Sequence, residues 1–149
     1  MAHIQPIFIH YDHRIARDRV GAGRERSSYA WRTMAELGVH YACGSDCPVE
    51  SFNVMEGIYC AVTRKGLDGA PEGGWLPEQA MTVAQAVYGF TMGGAYAAHA
   101  DHLRGSLAVG KLADMAVLER DIFTIPPGEI KDVGVDMTVL DGQIVWQRV

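Results

Sequence analysis

Asp46 is the residue whose type and position are best suited to chemistry. It follows a short apolar segment, residues 39–43, which predicts a buried strand. In α/β folds, ligands bind and catalytic side chains lie at the carboxyl ends of parallel strands. A carboxylate at that edge can accept a proton or contact a metal ion. Aspartate is also a common turn former, and the alternative is that Asp46 only organises the turn before Pro48.

The first third of the chain predicts a pair of parallel strands. Residues 4–9 form a short apolar run that is typical of a buried strand. Residues 24–37 carry apolar side chains at helical spacing, and Gly38 supplies a left-handed stop. The strand at residues 39–43 completes a strand-helix-strand unit, which implies a parallel sheet.

Two further helices and a loop are predicted in the middle of the chain. Asn53 is placed to cap a helix that Gly66 can end. Residues 65–81 contain too many glycines and prolines for regular structure and predict a connecting loop. Thr82 and Gln85 have the spacing of a capping box at the start of the next helix.

The last third of the chain predicts antiparallel strands. Residues 115–118, 133–140 and 143–146 each have strand character. The dipeptide Asp141-Gly142 separates the last two of them and indicates a two-residue type I′ hairpin. The expected class is therefore an α/β region followed by antiparallel β structure.

Composition and charge exclude several classes of protein. The chain has 149 residues, with 13 Lys plus Arg against 18 Asp plus Glu, and a formal net charge of −5. That balance does not suit a nucleic-acid-binding protein. The uncharged stretch at residues 79–100 contains Gly93-Gly94 and several polar side chains, so we expect no membrane span. Three cysteines and no apolar leader favour a cytoplasmic setting.

Five motifs occur in a fixed order along nearly the whole chain. They are GSDCPVE at 44–50, GIYCAVTR at 57–64, GWLPEQ at 74–79, GSLAVGKLADMAVL at 105–118 and TVLDGQIV at 138–145. Together they resemble the metal-dependent amidohydrolases of family three, a branch that includes N-substituted formamide deformylases.

The resemblance implies a fold. Residues 1–102 would be the last two βα units of a TIM-type (β/α)₈ barrel, and residues 103–149 the carboxyl-terminal half of an antiparallel β-sandwich. Residues 4–9 and 39–43 would then be the seventh and eighth barrel strands. A complete barrel takes ~250 residues. The chain would therefore correspond to the carboxyl-terminal quarter to third of such an enzyme.

The resemblance also implies a reaction. The family hydrolyses a C–N bond of a small-molecule amide, formamide or cyclic imide with metal-activated water, and zinc is its usual metal. Asp46 would be both the catalytic base and a metal contact. The family's His-x-His and its other histidine ligands have no counterpart in this sequence. We expect this chain alone to bind no metal and to be inactive.

Other side chains are weaker candidates. His10 and His13 flank Asp12 beyond the first predicted strand and are alternative metal or substrate contacts, unless they lie in a solvated loop. Cys47 is a possible nucleophile but has no base beside it in sequence. Trp75 either closes over a substrate or anchors its loop to the core.

A second hypothesis comes from a different functional class. Two barrel strands and half a sandwich would leave unpaired strand edges and exposed apolar faces. On this hypothesis the chain is a non-catalytic remnant that acts only through self-association. We therefore expect a homo-oligomer, with strand exchange as one route to it.

Overall fold

The computed structural model describes residues 1–149, which form short helices and two small sheets. The strands are β1 (Ala2–Ile4), β2 (Tyr41–Cys43), β3 (Met115–Leu118), β4 (Val135–Leu140) and β5 (Gln143–Gln147). The helices are α1 (Ile9–Asp12), α2 (Ala16–Val20), α3 (Ala22–Glu25), α4 (Trp31–Glu36), α5 (Val54–Thr63), α6 (Val83–Tyr88) and α7 (Gly94–Ala97). Short 3₁₀ turns cover Pro6–Phe8, Pro77–Gln79 and Pro127–Asp132, and a π-helical turn covers Gly89–Gly93.

The two amino-terminal strands pair in parallel, as predicted. Ala2 lies opposite Tyr41 and Ile4 opposite Cys43. The predicted strand at residues 4–9 is wrong, because β1 ends at Ile4 and a 3₁₀ turn begins at Pro6. Proline has no N–H to donate to a strand ladder, and its fixed φ suits the first position of a helical turn. The apolar residues of this run are largely buried, but they form the 3₁₀ turn and the start of α1 instead of a strand.

The predicted helix at residues 24–37 is interrupted. The structure has α3 ending at Glu25 and α4 beginning at Trp31, and Tyr29 between them has a φ of 52°. A left-handed residue cannot continue a right-handed helix. Gly38 has a φ of 71°, which confirms the left-handed stop.

The longest helix, α5, begins as predicted and ends earlier than predicted. The Asn53 side chain accepts a hydrogen bond from the backbone N–H of Met55 at 3.1 Å, which confirms the N-cap. The helix ends at Thr63 because Arg64 adopts a φ of 58°, so Gly66 is not its stop. The helix buries one face, including Ile58, in the core.

The next helical segment packs directly on the parallel pair. Thr82 and Gln85 form the predicted capping box at the start of α6. The chain continues through the π-helical turn into α7, so that α6 and α7 form one helical segment. Gly93 brings its backbone against β2, where a Cβ atom would clash with the carbonyl oxygen of Tyr41. No helix is long and apolar enough to cross a membrane.

The carboxyl-terminal strands form an antiparallel sheet in the order β3-β4-β5, as predicted. Asp141 and Gly142 have φ values of 48° and 77°, which both central positions of a type I′ turn require. The main core extends from Ile4 to Val133 and leaves β5 outside, where all five of its residues are exposed. The structure is thus an α/β unit with a thinly covered antiparallel sheet.

Candidate functional site

Asp46 lies in the turn that follows β2, at the carboxyl end of the parallel pair. Its φ is 57°, a conformation that aspartate tolerates better than most residues. Its carbonyl accepts a hydrogen bond from the N–H of Val49 at 2.9 Å, which closes the turn. The residue is exposed, and its carboxylate has no ion-pair or hydrogen-bond partner within the chain. The backbone therefore organises a turn while the carboxylate stays free for another group.

A broad groove of about 990 Å³ opens beside the amino-terminal end of α5. Its walls come from the start of that helix, from the junction of α6 with the π-helical turn and from one face of the antiparallel sheet. The lining is mainly apolar and includes Phe52, Ile58, Phe90, Leu118 and Phe123. Asp46 does not line this groove.

The side chains present do not fit a metal site by themselves. No three His, Cys, Asp or Glu residues come together anywhere in the chain. Protein zinc sites use three or four such ligands. A single exposed carboxylate lacks the convergent donors that hold zinc against water.

The two candidate histidines make structural hydrogen bonds to backbone groups. The Nδ1 atom of His10 accepts a hydrogen bond from the N–H of Leu67 at 3.1 Å and so connects α1 to the glycine-rich loop at residues 65–81. The Nδ1 atom of His13 lies 2.7 Å from the carbonyl oxygen of Ile9, one helical turn earlier. Between them, Asp12 accepts a hydrogen bond from the hydroxyl of Tyr29. The structure does not bring these groups into a metal cluster.

Trp75 anchors its loop to the core, the second of the two roles considered for it. The side chain is buried, and its indole N–H donates to Glu25 at 3.1 Å. Arg17 donates to the other oxygen of the same carboxylate at 2.8 Å. The Trp75 indole and the Arg17 guanidinium together hold the pKa of Glu25 below its usual range.

Cysteine chemistry has little support in this region. Burial raises the pKa of the Cys43 thiol and of the Cys60 thiol to about 12 in each case. Neither thiol is therefore a thiolate at neutral pH. Cys47 is exposed beside Asp46, and no three metal-ligating side chains gather around it.

Arg64 is fully buried beside two tryptophan rings, a role that sequence analysis did not predict because it noted this residue only as part of a motif. Its side chain is 0% exposed, between the rings of Trp31 at 4.5 Å and Trp75 at 5.3 Å. Its Nε donates to the carbonyl of Trp75 at 2.9 Å and its Nη1 to the carbonyl of Tyr29 at 3.1 Å. Burial lowers the pKa of this guanidinium to about 10, so it remains charged at neutral pH.

The position of Arg64 explains how distant segments meet. It holds the loop before α4 and the glycine-rich loop against the end of α5. The only sequence signal for this arrangement is the position of Arg64. This basic residue directly follows the apolar face of a predicted helix, in a chain that has three tryptophans.

Comparison with known proteins gives a consistent result. The sequence model of the amidohydrolase family matches residues 1–146. YtcJ of Bacillus subtilis is 32% identical over 145 residues, which cover 97% of this chain and 27% of that protein. The N-substituted formamide deformylase of Arthrobacter pascens is 32% identical over 117 residues, or 78% of this chain and 21% of that protein. The chain thus spans about a quarter of the length of the curated relatives it matches.

A solved structure has the same fold over most of the chain. It is that of an uncharacterized metal-dependent hydrolase from Pyrococcus horikoshii OT3, with a TM-score of 0.72 and 24% identity. The match covers 85% of this chain and 25% of that one. A related structure from Pyrococcus furiosus matches with a TM-score of 0.61 over 73% of the chain.

Proposed function

The chain belongs to the amidohydrolase family, and from that premise we propose that it is the carboxyl-terminal part of a metal-dependent hydrolase that cleaves a C–N bond. Its substrate class is a small-molecule amide, formamide or cyclic imide. The observation that carries the proposal is Asp46, free of internal partners at the end of β2 in a segment that matches the family. Amidohydrolase membership supports hydrolysis, and the named formamide deformylase suggests the bond.

The proposed architecture divides the chain into two segments. Residues 1–102 are the last two βα units of a (β/α)₈ barrel, with β1 and β2 as its seventh and eighth strands. Residues 103–149 are the carboxyl-terminal half of a β-sandwich. The parallel pairing of β1 with β2 and the antiparallel order β3-β4-β5 support this division.

Asp46 is the proposed catalytic residue and the one metal contact that the chain offers. Its exposed carboxylate can accept a proton from an attacking water and return it to a leaving nitrogen. The divalent metal, for which zinc is the expected identity, needs further ligands that residues 1–149 do not gather. Those ligands would come from the remainder of a longer polypeptide, of the length of the curated relatives.

The isolated chain should neither retain zinc nor hydrolyse amides. After dialysis against zinc and then against buffer, elemental analysis should find far less than one zinc per chain, because the single carboxylate is a weak ligand. Chromatographic detection of amine released from an N-substituted formamide should find no turnover. One zinc retained per chain together with turnover would contradict the proposed division of ligands.

A chimera tests the catalytic role of Asp46. The segment of the Arthrobacter pascens deformylase that aligns with this chain is replaced by the corresponding residues of this chain. We expect the chimera to hydrolyse an N-substituted formamide, and Asp46→Asn to reduce kcat by about 10²- to 10⁴-fold, the usual contribution of a general acid-base. Asp18→Asn on exposed α2 is the matched control and should leave kcat unchanged.

One result of this experiment would contradict the role of Asp46, and another would contradict the proposed substrate class. Full activity of the Asp46→Asn chimera would remove Asp46 from catalysis. A folded chimera that retains the metal content of the parent enzyme but does not cleave C–N bonds would overturn the substrate class.

A further inference from the structure

A tight turn at residues 66–69 joins three parts of the molecule. Its Gly66 carbonyl accepts a hydrogen bond from the Tyr59 hydroxyl of α5 at 3.2 Å. Its Leu67 carbonyl accepts one at 3.0 Å from Lys131, which lies in the 3₁₀ turn that leads into β4. The third connection is to α1, and it depends on the protonation state of a histidine.

His10 holds this turn on α1 through a ring nitrogen that must be unprotonated. The backbone N–H of Leu67 donates to Nδ1 of His10 at 3.1 Å, so neutral His10 carries its proton on Nε2. A charged imidazole carries a proton on both nitrogens and has no acceptor left. The bond therefore exists only while His10 is neutral, because protonation would set two N–H groups against each other.

His13, on the same segment, has the opposite requirement. Its Nδ1 atom lies 2.7 Å from the carbonyl oxygen of Ile9, and a carbonyl only accepts, so Nδ1 of His13 is the donor. Protonation of His13 at Nε2 leaves that bond in place. The two partly buried histidines are therefore expected to respond differently to acid.

Asp68 offers the protonated ring of His10 a second partner. A Cβ atom on Gly66 would lie 2.8 Å from Oδ1 of Asp68 and 3.1 Å from Nδ1 of His10, so both atoms border the same point. The backbone N–H of Ala70 holds the pKa of Asp68 below its usual range, and the guanidinium of Arg14 and a charged imidazole add to this effect. Asp68 is thus an ionised acceptor beside the imidazole when that ring takes up a proton.

The other titratable groups around this contact are engaged elsewhere or exposed. On the segment that carries the imidazole, Asp12 accepts a hydrogen bond from a tyrosine hydroxyl, and Arg14 donates to the carboxylate of the turn at 2.6 Å. The ring of Tyr11 packs beside the imidazole, with 4.4 Å between the ring centroids. On the 3₁₀ turn, Lys131 donates to the turn and Asp132 is exposed.

We propose that His10 is a pH-sensitive switch for the contact between α1 and the turn at residues 66–69. When neutral, it accepts from Leu67 and holds the turn. When protonated, it releases Leu67 and donates to Asp68. Imidazole commonly changes charge between about pH 5 and 8, so the contact is present at the upper end of that range and is lost toward the lower end.

This inference is independent of the proposed hydrolytic function. All of its groups lie within the chain and contact one another, so it does not depend on what covers the exposed surfaces.

Nuclear magnetic resonance on the 149-residue chain tests the switch. At about pH 8, long-range ¹H–¹⁵N spectra should find the ring proton of His10 on Nε2 and that of His13 on Nδ1. Between about pH 8 and about pH 5.5, the protection of the Leu67 amide against hydrogen exchange, relative to its intrinsic rate, should fall about fivefold, the contribution of one neutral hydrogen bond. A His10 ring proton on Nδ1 at the higher pH, or unchanged protection of Leu67, would overturn the proposal.

A pair of asparagine variants separates the switch from general destabilisation by acid. His10→Asn can place a carbonyl oxygen where Nδ1 lies, and this acceptor does not titrate, so the protection of Leu67 should be the same at both pH values. His13→Asn is the matched control, and the fivefold loss should remain in it. A pH-dependent loss that persists in His10→Asn also overturns the proposal.

A third variant tests the second partner. Asp68→Asn removes the carboxylate that attracts the charged ring, so the loss of Leu67 protection should then require a lower pH. An unchanged pH dependence in Asp68→Asn would exclude Asp68 as that partner. If circular dichroism finds His10→Asn unfolded, the wild-type ring protons and the Asp68→Asn profile decide the question.

Discussion

Replacing Gly93 with alanine should lower the free energy of unfolding by about 3 kcal/mol, at the upper end of the usual cost of overpacking. The added Cβ atom would clash with the carbonyl oxygen of Tyr41 and lie 3.2 Å from its carbonyl carbon. It would also lie 3.3 Å from the Cα atom of Ala42. All of these atoms are backbone atoms of β2, so no side chain can rotate away to make room.

Gly94 provides a matched control one residue later in the chain. A Cβ atom at Gly94 would have no neighbour within 4 Å, and the residue is helical with a φ of −63°. Gly94→Ala should therefore raise the free energy of unfolding by about 0.5–1 kcal/mol through helix propensity. Urea unfolding of the two variants at equal protein concentration measures the difference. Equal stabilities for Gly93→Ala and Gly94→Ala would show that the helix does not pack on β2 as described.

Replacing Arg64 with methionine should cost about 3 kcal/mol of stability and lower the unfolding midpoint by roughly 10 °C. The carbonyl oxygens of Trp75 and Tyr29 would lose their charged donor in a buried setting. Methionine fills much of the space of the arginine's apolar stem, so the loss of stability does not come from a large cavity. Both residues would have the same left-handed backbone conformation at position 64, so the loss does not come from new backbone strain either. Thermal unfolding followed by tryptophan fluorescence measures it.

Arg32 is the control for this substitution. It is exposed and pairs with Glu36 at 2.7 Å across one helical turn of α4. An exposed pair of this type contributes about 0.3–0.5 kcal/mol, so Arg32→Met should change the midpoint little. If Arg64→Met were as mild as Arg32→Met, the buried guanidinium would not be the element that joins the two loops to α5.

Local signals predicted the parts of the structure that depend on short-range backbone chemistry. The Asn53 cap, the capping box of Thr82 and Gln85, and the Asp141-Gly142 hairpin all occur as expected. Each of these features satisfies backbone groups within a few residues of itself, so its sequence pattern contains most of the cause.

The predictions that failed depended on competition between local pattern and distant contacts. The apolar residues after Ile4 suited a strand, but Pro6 could not donate to a ladder. The helix predicted at residues 24–37 is broken at Tyr29, whose hydroxyl is tied to Asp12 and whose carbonyl is tied to Arg64. Periodicity alone does not contain such contacts.

The sequence by itself determined the family, the order of the elements and the placement of Asp46 after a parallel strand. The motifs that carry this information are local, and their spacing along the chain can be compared directly with relatives. Tertiary structure decided that Arg64 joins two loops between Trp31 and Trp75, that the candidate histidines make structural hydrogen bonds, and that β5 lies outside the core. These outcomes depend on which distant residues meet and how much water they exclude, and packing sets both.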